Sequence, residues 1–168
     1  MSVSEPQVIP FDGVRLRHAS SKRFDDLVDA VLADVGRDPV PIDDIGKLYA
    51  SWESYEHEVQ SHVGPSGFML FGSLNHGGWI AKTGINRKVL RLIIGNPLIA
   101  ITMIRHDVTA GLFAPVELLA TEEDNDTSAL TYVVPSSLMV VEPNPPLLSA
   151  AQDLDAKLAA LVAKVTAS

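Results

Sequence analysis

Residues 67–97 read GFMLFGSLNHGGWIAKTGINRKVLRLIIGNP, and this stretch decides the fold. It holds two apolar runs, GFMLFGSL at 67–74 and KVLRLII at 88–94. Both are short and bounded by turn-forming residues, which is typical of buried strands. The link NHGGWIAKTGIN at 75–86 carries three glycines, whose backbone tolerates conformations that other residues resist. The stretch therefore predicts two buried strands joined by a loop that a ligand can approach closely.

The second strand is followed by Gly95–Asn96–Pro97, which predicts the start of a helix. Asn is a good N-cap and Pro a good first helical residue. Apolar spacing places the other elements around this centre. They are a strand at 14–18, a helix at 24–35 capped by Ser20–Ser21, one long helix at 45–63, a helix from Pro97 to about Gly111, a hairpin of 115–121 and 129–134, and a last helix from Ser149.

The predicted element order is β-α-(α)-β-β-α-β-β-α. It indicates an α/β fold of the α+β type, in which helices pack on a single-layer sheet. The length of 168 residues corresponds to about one domain, so we expect residues 1–168 to share one core.

Composition narrows the function classes. The chain has 13 Lys and Arg against 21 Asp and Glu, a net charge of −8, which is the wrong sign for a protein that binds nucleic acid. It has no cysteine, which excludes a disulfide scaffold, an iron–sulfur cluster and a cysteine nucleophile. We find no apolar run of the ~20 residues that a membrane span needs, and no secretory signal. We therefore expect a cytoplasmic protein without a nucleic-acid or membrane partner.

Several motifs together resemble a known family. They are RFDDLVDAVL (23–32), GFMLFGSLNHGGW (67–79), RLIIGNP (91–97), GLFAPVELLATEED (111–124) and LTYVVPSSL (130–138). Their order and spacing resemble the domain of unknown function 302 family of bacteria and archaea. The resemblance implies a compact α/β domain that commonly forms a homodimer, and it implies no established activity. Asn75 stands where the family usually has aspartate, which puts in doubt any role that needs a carboxylate beside His76.

Residues 37–66 look like a helical insertion relative to this family pattern, and we interpret them as a lid or pocket wall. Their apolar stripe is rich in aromatic residues, with Tyr49, Trp52 and Tyr55 on one face and His62 at its edge. An aromatic stripe is more often core than a ligand wall, and both interpretations stay open.

His76 is the main candidate for chemistry. It follows a predicted buried strand and precedes Gly77–Gly78–Trp79, a suitable place for a general acid, a general base or a metal ligand. The alternative is a histidine that only hydrogen-bonds within its own loop. Trp79 is either a cover for an apolar ligand or packed core. Asn96 is either a plain helix cap or part of a helix start that holds an anion.

Three hypotheses follow. The first is a homodimeric domain that binds a small apolar molecule in an apolar pocket near the 75–86 loop, lined by Asn75, His76, Trp79, Asn96, Tyr49, Trp52, Tyr55 and His62. The second is an isomerase- or lyase-type enzyme that uses His76 for proton transfer. The third is haem or metal binding through His76, His62 or His106. The i,i+4 pairs Glu53–His57 and Glu58–His62 supply too few ligands for a metal site, and we predict none there.

Overall fold

The computed structural model describes residues 4–168 and contains one five-stranded sheet. Its strands are β1 (Arg15–Ser20), β2 (Met69–Asn75), β3 (Val89–Gly95), β4 (Val116–Glu122) and β5 (Ser128–Val133). Their order across the sheet is β1-β5-β4-β3-β2, and every neighbouring pair is antiparallel. The predicted α/β class with a single sheet packed by helices is confirmed.

Within residues 4–168, seven helices accompany the sheet. They are α1 (Phe24–Val35), α2 (Ile42–Leu48), α3 (Trp52–His62), α4 (His76–Ile80), α5 (Pro97–Ile104), α6 (Pro135–Met139) and α7 (Pro145–Thr166). Short 3-10 turns lie at Ala81–Thr83, Val108–Phe113 and Asp124–Asp126. Among residues 4–168 we find no helix whose length and apolar character would let it cross a bilayer.

The main core lies between one face of the sheet and helices α1 and α7. Leu92, Leu118 and Leu130 on that face are fully buried, since alternate residues of a strand point to the same side. A smaller cluster around Ile45, Val59 and Met69 holds α2 and α3 against the start of β2. The protein therefore has two neighbouring apolar cores that meet at the first residues of β2.

The opposite face of the sheet is mixed in character. A row of paired residues crosses all five strands there, formed by Leu74, Arg91, Leu119, Thr131 and Arg17. Leu119 and Thr131 keep part of their surface exposed at the centre of the sheet. This face is consequently less apolar and less covered than the core face.

Three of the predicted helix boundaries are wrong. The helix predicted from Pro97 to about Gly111 ends at Ile104, and Val108–Phe113 is a separate 3-10 turn. The long helix predicted at 45–63 is two helices, because Tyr49 is extended and Ser51 caps α3 by accepting a hydrogen bond from the Ser54 N–H at 3.2 Å. The last helix starts at Pro145 rather than at Ser149, because the Asn144 side chain accepts the Leu147 N–H at 3.2 Å.

The predicted cap of α1 is also wrong. Arg23, not Ser20 or Ser21, occupies the N-cap position, and its side chain makes no capping bond. The Ser20 hydroxyl instead donates to the carbonyl of Thr166 at 3.0 Å, tying β1 to the end of α7.

Candidate functional site

The predicted site residues fall into groups at opposite ends of the β2–β3 pair. Met69 pairs with Gly95 and Asn75 pairs with Leu90, so the two strands run in opposite directions. The 75–86 loop therefore lies at one end of the pair, and the turn at 95–97 lies at the other. A seven-residue strand spans about 20 Å, so these two regions cannot line one small pocket.

At the first end, Asn75 and His76 begin the short helix α4. The Asn75 side chain caps this helix by accepting the Gly78 N–H at 3.1 Å. The Trp79 Nε1–H donates to His76 Nδ1 at 3.3 Å, and 58% of Trp79 is exposed. The arrangement gives Asn75 a local structural role and makes Nδ1 the accepting nitrogen of neutral His76.

The cleft beside this loop has both charged and apolar walls. It has a volume of about 420 Å³, and its lining includes Asp25, Arg87, Lys88 and Glu122. The Lys88 ammonium lies 2.6 Å from the Asp25 carboxylate, so part of this charge is already paired within the cleft. A Cβ at Gly77 would lie 2.9 Å from the carbonyl oxygen of Arg87, so the glycine here permits close backbone packing. A cleft therefore lies near this loop, with charged side chains among its walls, and its use as an apolar ligand pocket stays a prediction.

An apolar cavity lies at the other end of the pair, where β3 turns into α5. Its volume is about 180 Å³, and it is partly open to solvent. Its walls come from the beginning of α2, the start of β2, the 95–97 turn, one side of α5, the segment entering β4, and α7. The lining residues are Ile42, Phe68, Phe71, Gly95, Asn96, Pro97, Ile99, Ala100, Met103, Ala114, Pro115, Val116 and Leu154.

Asn96 is the one polar side chain in this lining, and it shapes the turn. Its Oδ1 accepts the Leu98 N–H at 2.9 Å, and its Nδ2 donates to the Gly67 carbonyl at 2.9 Å. Pro97 has no N–H, and the N–H groups of Ile99 and Ala100 donate to the Asn96 carbonyl. These bonds leave the helix start without free donors. Asn96 therefore acts as a helix cap, and the N–H groups at the start of α5 already have acceptors among the described residues.

Gly95 and two alanines give the cavity its space. A Cβ at Gly95 would lie 2.8 Å from the Phe71 ring and 3.1 Å from the Cβ of Pro115, so only glycine lets these two walls approach. Ala100 and Ala114 present single methyl groups where larger side chains would project into the volume. The size of the cavity is thus set by the small residues at these positions.

The aromatic residues of the 37–66 segment lie in different environments. Tyr55 packs partly buried against the smaller core, whereas 49% of Trp52 is exposed. Tyr49 Oη donates to Glu58 Oε2 at 3.0 Å, and His62 Nε2 lies 3.0 Å from Glu58 Oε1.

These contacts change the ionisation of the groups that make them. Two hydrogen bonds lower the pKa of Glu58. The bond with His62 has the larger effect, and the bond from Tyr49 has the smaller one. The bond to that carboxylate raises the pKa of Tyr49. The three side chains form a connected polar group that links the end of α2 to α3.

The sequence places Phe68 and Phe71 in a predicted buried strand, and Asn96 is the one cavity residue that it marks as a site candidate. Phe68, Met103 and Leu154 are indeed buried, and apolar periodicity alone does not separate a core residue from a cavity wall. From the 37–66 segment, Ile42 lines the cavity, whereas Tyr49, Trp52, Tyr55 and His62 are outside its lining. The signal that marks the place is the Gly95–Asn96–Pro97 step.

The three histidines considered for haem or metal lie on separate elements. His76 begins α4, His62 ends α3, and His106 follows α5 and is exposed. Within residues 4–168, we find no group of three or more His, Asp or Glu side chains placed to hold a metal ion.

The model of the family described as Domain of unknown function DUF302 matches residues 47–165, more than two thirds of the chain. The chain belongs to this family. The DUF302 match includes the whole of α3, which the sequence analysis had set outside the family pattern.

One solved structure supports the fold of this DUF302 chain. It is the crystal structure of an uncharacterized conserved DUF302 protein from Bacillus stearothermophilus, with a TM-score of 0.63 and 18% sequence identity. The similarity covers 90% of this chain and 97% of that chain. At this identity the likeness concerns the fold alone. No functionally curated protein matches the chain.

Proposed function

We propose that this DUF302 protein binds a small, largely apolar molecule in the cavity at the 95–97 turn. The observation that carries the proposal is a preformed space of about 180 Å³ whose lining is apolar except for Asn96. Ligand sites are commonly concave and mostly apolar, with a few placed polar groups that fix orientation.

The chemistry of the lining favours binding over catalysis at this place. Proton transfer needs an acid or base within hydrogen-bond reach of the reacting atom. The side chains that line the cavity are neutral and do not titrate in the ordinary pH range, and Asn96 uses its amide to hold the turn. An occupant of this cavity is therefore held by shape and by release of water from apolar surface.

The experiment is a titration of the ¹⁵N-labelled protein with toluene, followed by amide chemical shifts. We expect saturable shifts at residues 95–100 and 114–116. Ala100→Leu adds three carbon atoms on the wall of the cavity and should abolish the shifts. Ala159→Leu makes the same change at an exposed position of α7 and should leave them intact. Shifts that are absent, or that persist in Ala100→Leu, contradict the proposal.

An enzyme that uses His76 is the second candidate, and one observation favours it. The bond from Trp79 occupies Nδ1, so in the neutral ring the proton lies on Nε2. The cleft of about 420 Å³, with charged side chains among its walls, begins at the adjacent Asn75 and Gly77. We rank this candidate second because Trp79 and His76 form an exposed pair rather than a water-excluded site.

We also propose that the protein is a homodimer that pairs through the sheet face opposite the core. Partly exposed Ile93, Leu119 and Val133 lie on that face among charged residues. The Arg91 guanidinium forms an ion pair with Glu117 of the neighbouring strand, so these charges are already neutralised within one chain. Such a face can be buried against the same face of a second chain, because its charges are already paired and its apolar side chains gain contact.

A further inference from the structure

The cavity at the 95–97 turn also constrains what its occupant is, if the proposed function is correct. We propose that the ligand is a neutral molecule of about one ring that places a single hydrogen-bonding group at Asn96. Phenol and other single-ring molecules with one hydroxyl or carbonyl belong to this class. Three features of the cavity carry the inference: its volume, its charge and the spare capacity of one amide.

The volume selects a single ring. A closed apolar cavity of about 150 Å³ is known to hold one benzene molecule. The cavity here has about 180 Å³, enough for one ring and a small substituent. The small residues Gly95, Ala100 and Ala114 set this volume. Phe71 and Pro115 lie so close to Gly95 that a Cβ there would clash with both.

The lining selects a neutral ligand. The walls carry no ionisable side chain among the residues that the structure describes, and the N–H groups at the start of α5 are occupied. A buried charge without a partner is strongly disfavoured relative to water. An anion such as a carboxylate therefore has no group here to replace its hydration.

Asn96 supplies the polar contact. A side-chain amide has two N–H donors and two acceptor lone pairs. Residues 4–168 supply one partner on each side, the Gly67 carbonyl and the Leu98 N–H. This amide is almost fully buried, and it thus keeps one N–H that can donate and one lone pair that can accept a further hydrogen bond. A ligand hydroxyl is able to use either.

The test is a set of matched ligands titrated into the full chain by NMR or calorimetry. Phenol and toluene have nearly the same shape, and phenol carries a hydroxyl where toluene carries a methyl group. If that hydroxyl reaches Asn96, phenol should bind within about threefold of toluene or more tightly. Burial without a partner should instead weaken phenol by about 5- to 150-fold, and that result would overturn the role of Asn96.

Two further comparisons examine charge and size. Nitrobenzene and benzoate are nearly isosteric, and we expect benzoate to bind at least 100-fold more weakly. Naphthalene should bind no more tightly than toluene, because the second ring gains little buried contact. Comparable benzoate affinity, or a naphthalene affinity more than tenfold above that of toluene, would overturn the neutral single-ring class.

The variant Ala100→Leu separates this inference from the function on which it rests. If benzoate or naphthalene binds well to the protein and Ala100→Leu abolishes that binding, the cavity is a ligand site and the class named here is wrong. If none of the five compounds binds in a way that Ala100→Leu abolishes, the proposed function itself is wrong.

Discussion

Asp34 is the buried charge whose replacement should destabilise the protein most clearly. It lies near the end of α1 with only 2% of its side chain exposed. One carboxylate oxygen accepts bonds from the Ser66 hydroxyl and the Lys164 ammonium, each at 2.7 Å, and the other accepts the Ser66 N–H at 3.2 Å. This carboxylate therefore joins α1, the turn before β2 and α7.

The change Asp34→Asn keeps the shape and removes the charge. An amide offers one accepting oxygen, so its NH₂ group must face one of the donors that Asp34 now satisfies. An unpaired buried group costs about 1–3 kcal/mol. The loss of the ion pair adds about 1 kcal/mol, because Lys164 is 57% exposed and solvent screens it.

We expect the free energy of unfolding to fall by about 2–4 kcal/mol, which lowers the melting temperature by roughly 5–15 °C. Thermal and urea unfolding followed by circular dichroism would measure it. Asp29→Asn is the matched control on the same helix. The Asp29–Arg37 pair is more than 60% exposed on both sides, and its loss should change stability by less than about 0.5 kcal/mol. Equal effects of the two substitutions would refute the reasoning.

Three other predictions concern separate parts of the molecule. Because hydrogen bonds lower the pKa of Glu58, its carboxylate adds stability above its unfolded pKa of about 4.3, and that stability is lost as pH falls through the lower folded pKa. The melting temperature of the protein should therefore exceed that of Glu58→Gln at pH 7, and the difference should shrink below about pH 4. The change His76→Ala should leave toluene affinity within about twofold by titration, because His76 lies about 20 Å from the cavity end of the sheet. The change Leu119→Glu should convert the proposed dimer to a monomer in light scattering, since it buries a charge in the paired faces.

Each of these has a control and a contrary result. Glu56→Gln changes an exposed residue of the same helix as Glu58 and should show no such pH dependence. A tenfold loss of toluene affinity in His76→Ala would show that the two ends of the sheet are coupled. Ala159 is exposed on α7, which packs on the core face of the sheet, so Ala159→Glu should leave the oligomeric state unchanged. A protein that is already monomeric at micromolar concentration contradicts the dimer proposal.

The strands were predictable because their signals are local. GFMLFGSL and KVLRLII are short apolar runs between turn residues, and β2 and β3 lie within a residue or two of them. Helix boundaries were less predictable, because capping depends on which of several polar residues meets the free N–H groups. Ser51 and Asn144 serve as caps here, whereas Ser20 and Ser149 were equally suitable by residue type.

The cavity was not predictable from the sequence for a different reason. Its walls join Ile42, Phe68, Ala100, Pro115 and Leu154, which lie far apart along the chain. Each of these residues looks like an ordinary apolar residue of its own element. A space between elements arises only from their relative positions, which periodicity within one element does not report.

The position of the cavity explains why the Gly95–Asn96–Pro97 step is more informative than His76. Gly95 lets Phe71 and Pro115 approach, Asn96 joins the start of α5 to Gly67, and Pro97 begins α5 without an N–H that would need a partner. Asp34 holds Ser66, the residue just before Gly67, so the charge buried near α1 supports the same turn. Asp34→Asn should for this reason weaken toluene binding as well as lower stability, whereas Asp29→Asn should change neither. Loss of stability with unchanged toluene affinity would mean that the Asp34 network supports the fold and that the turn keeps its shape without it.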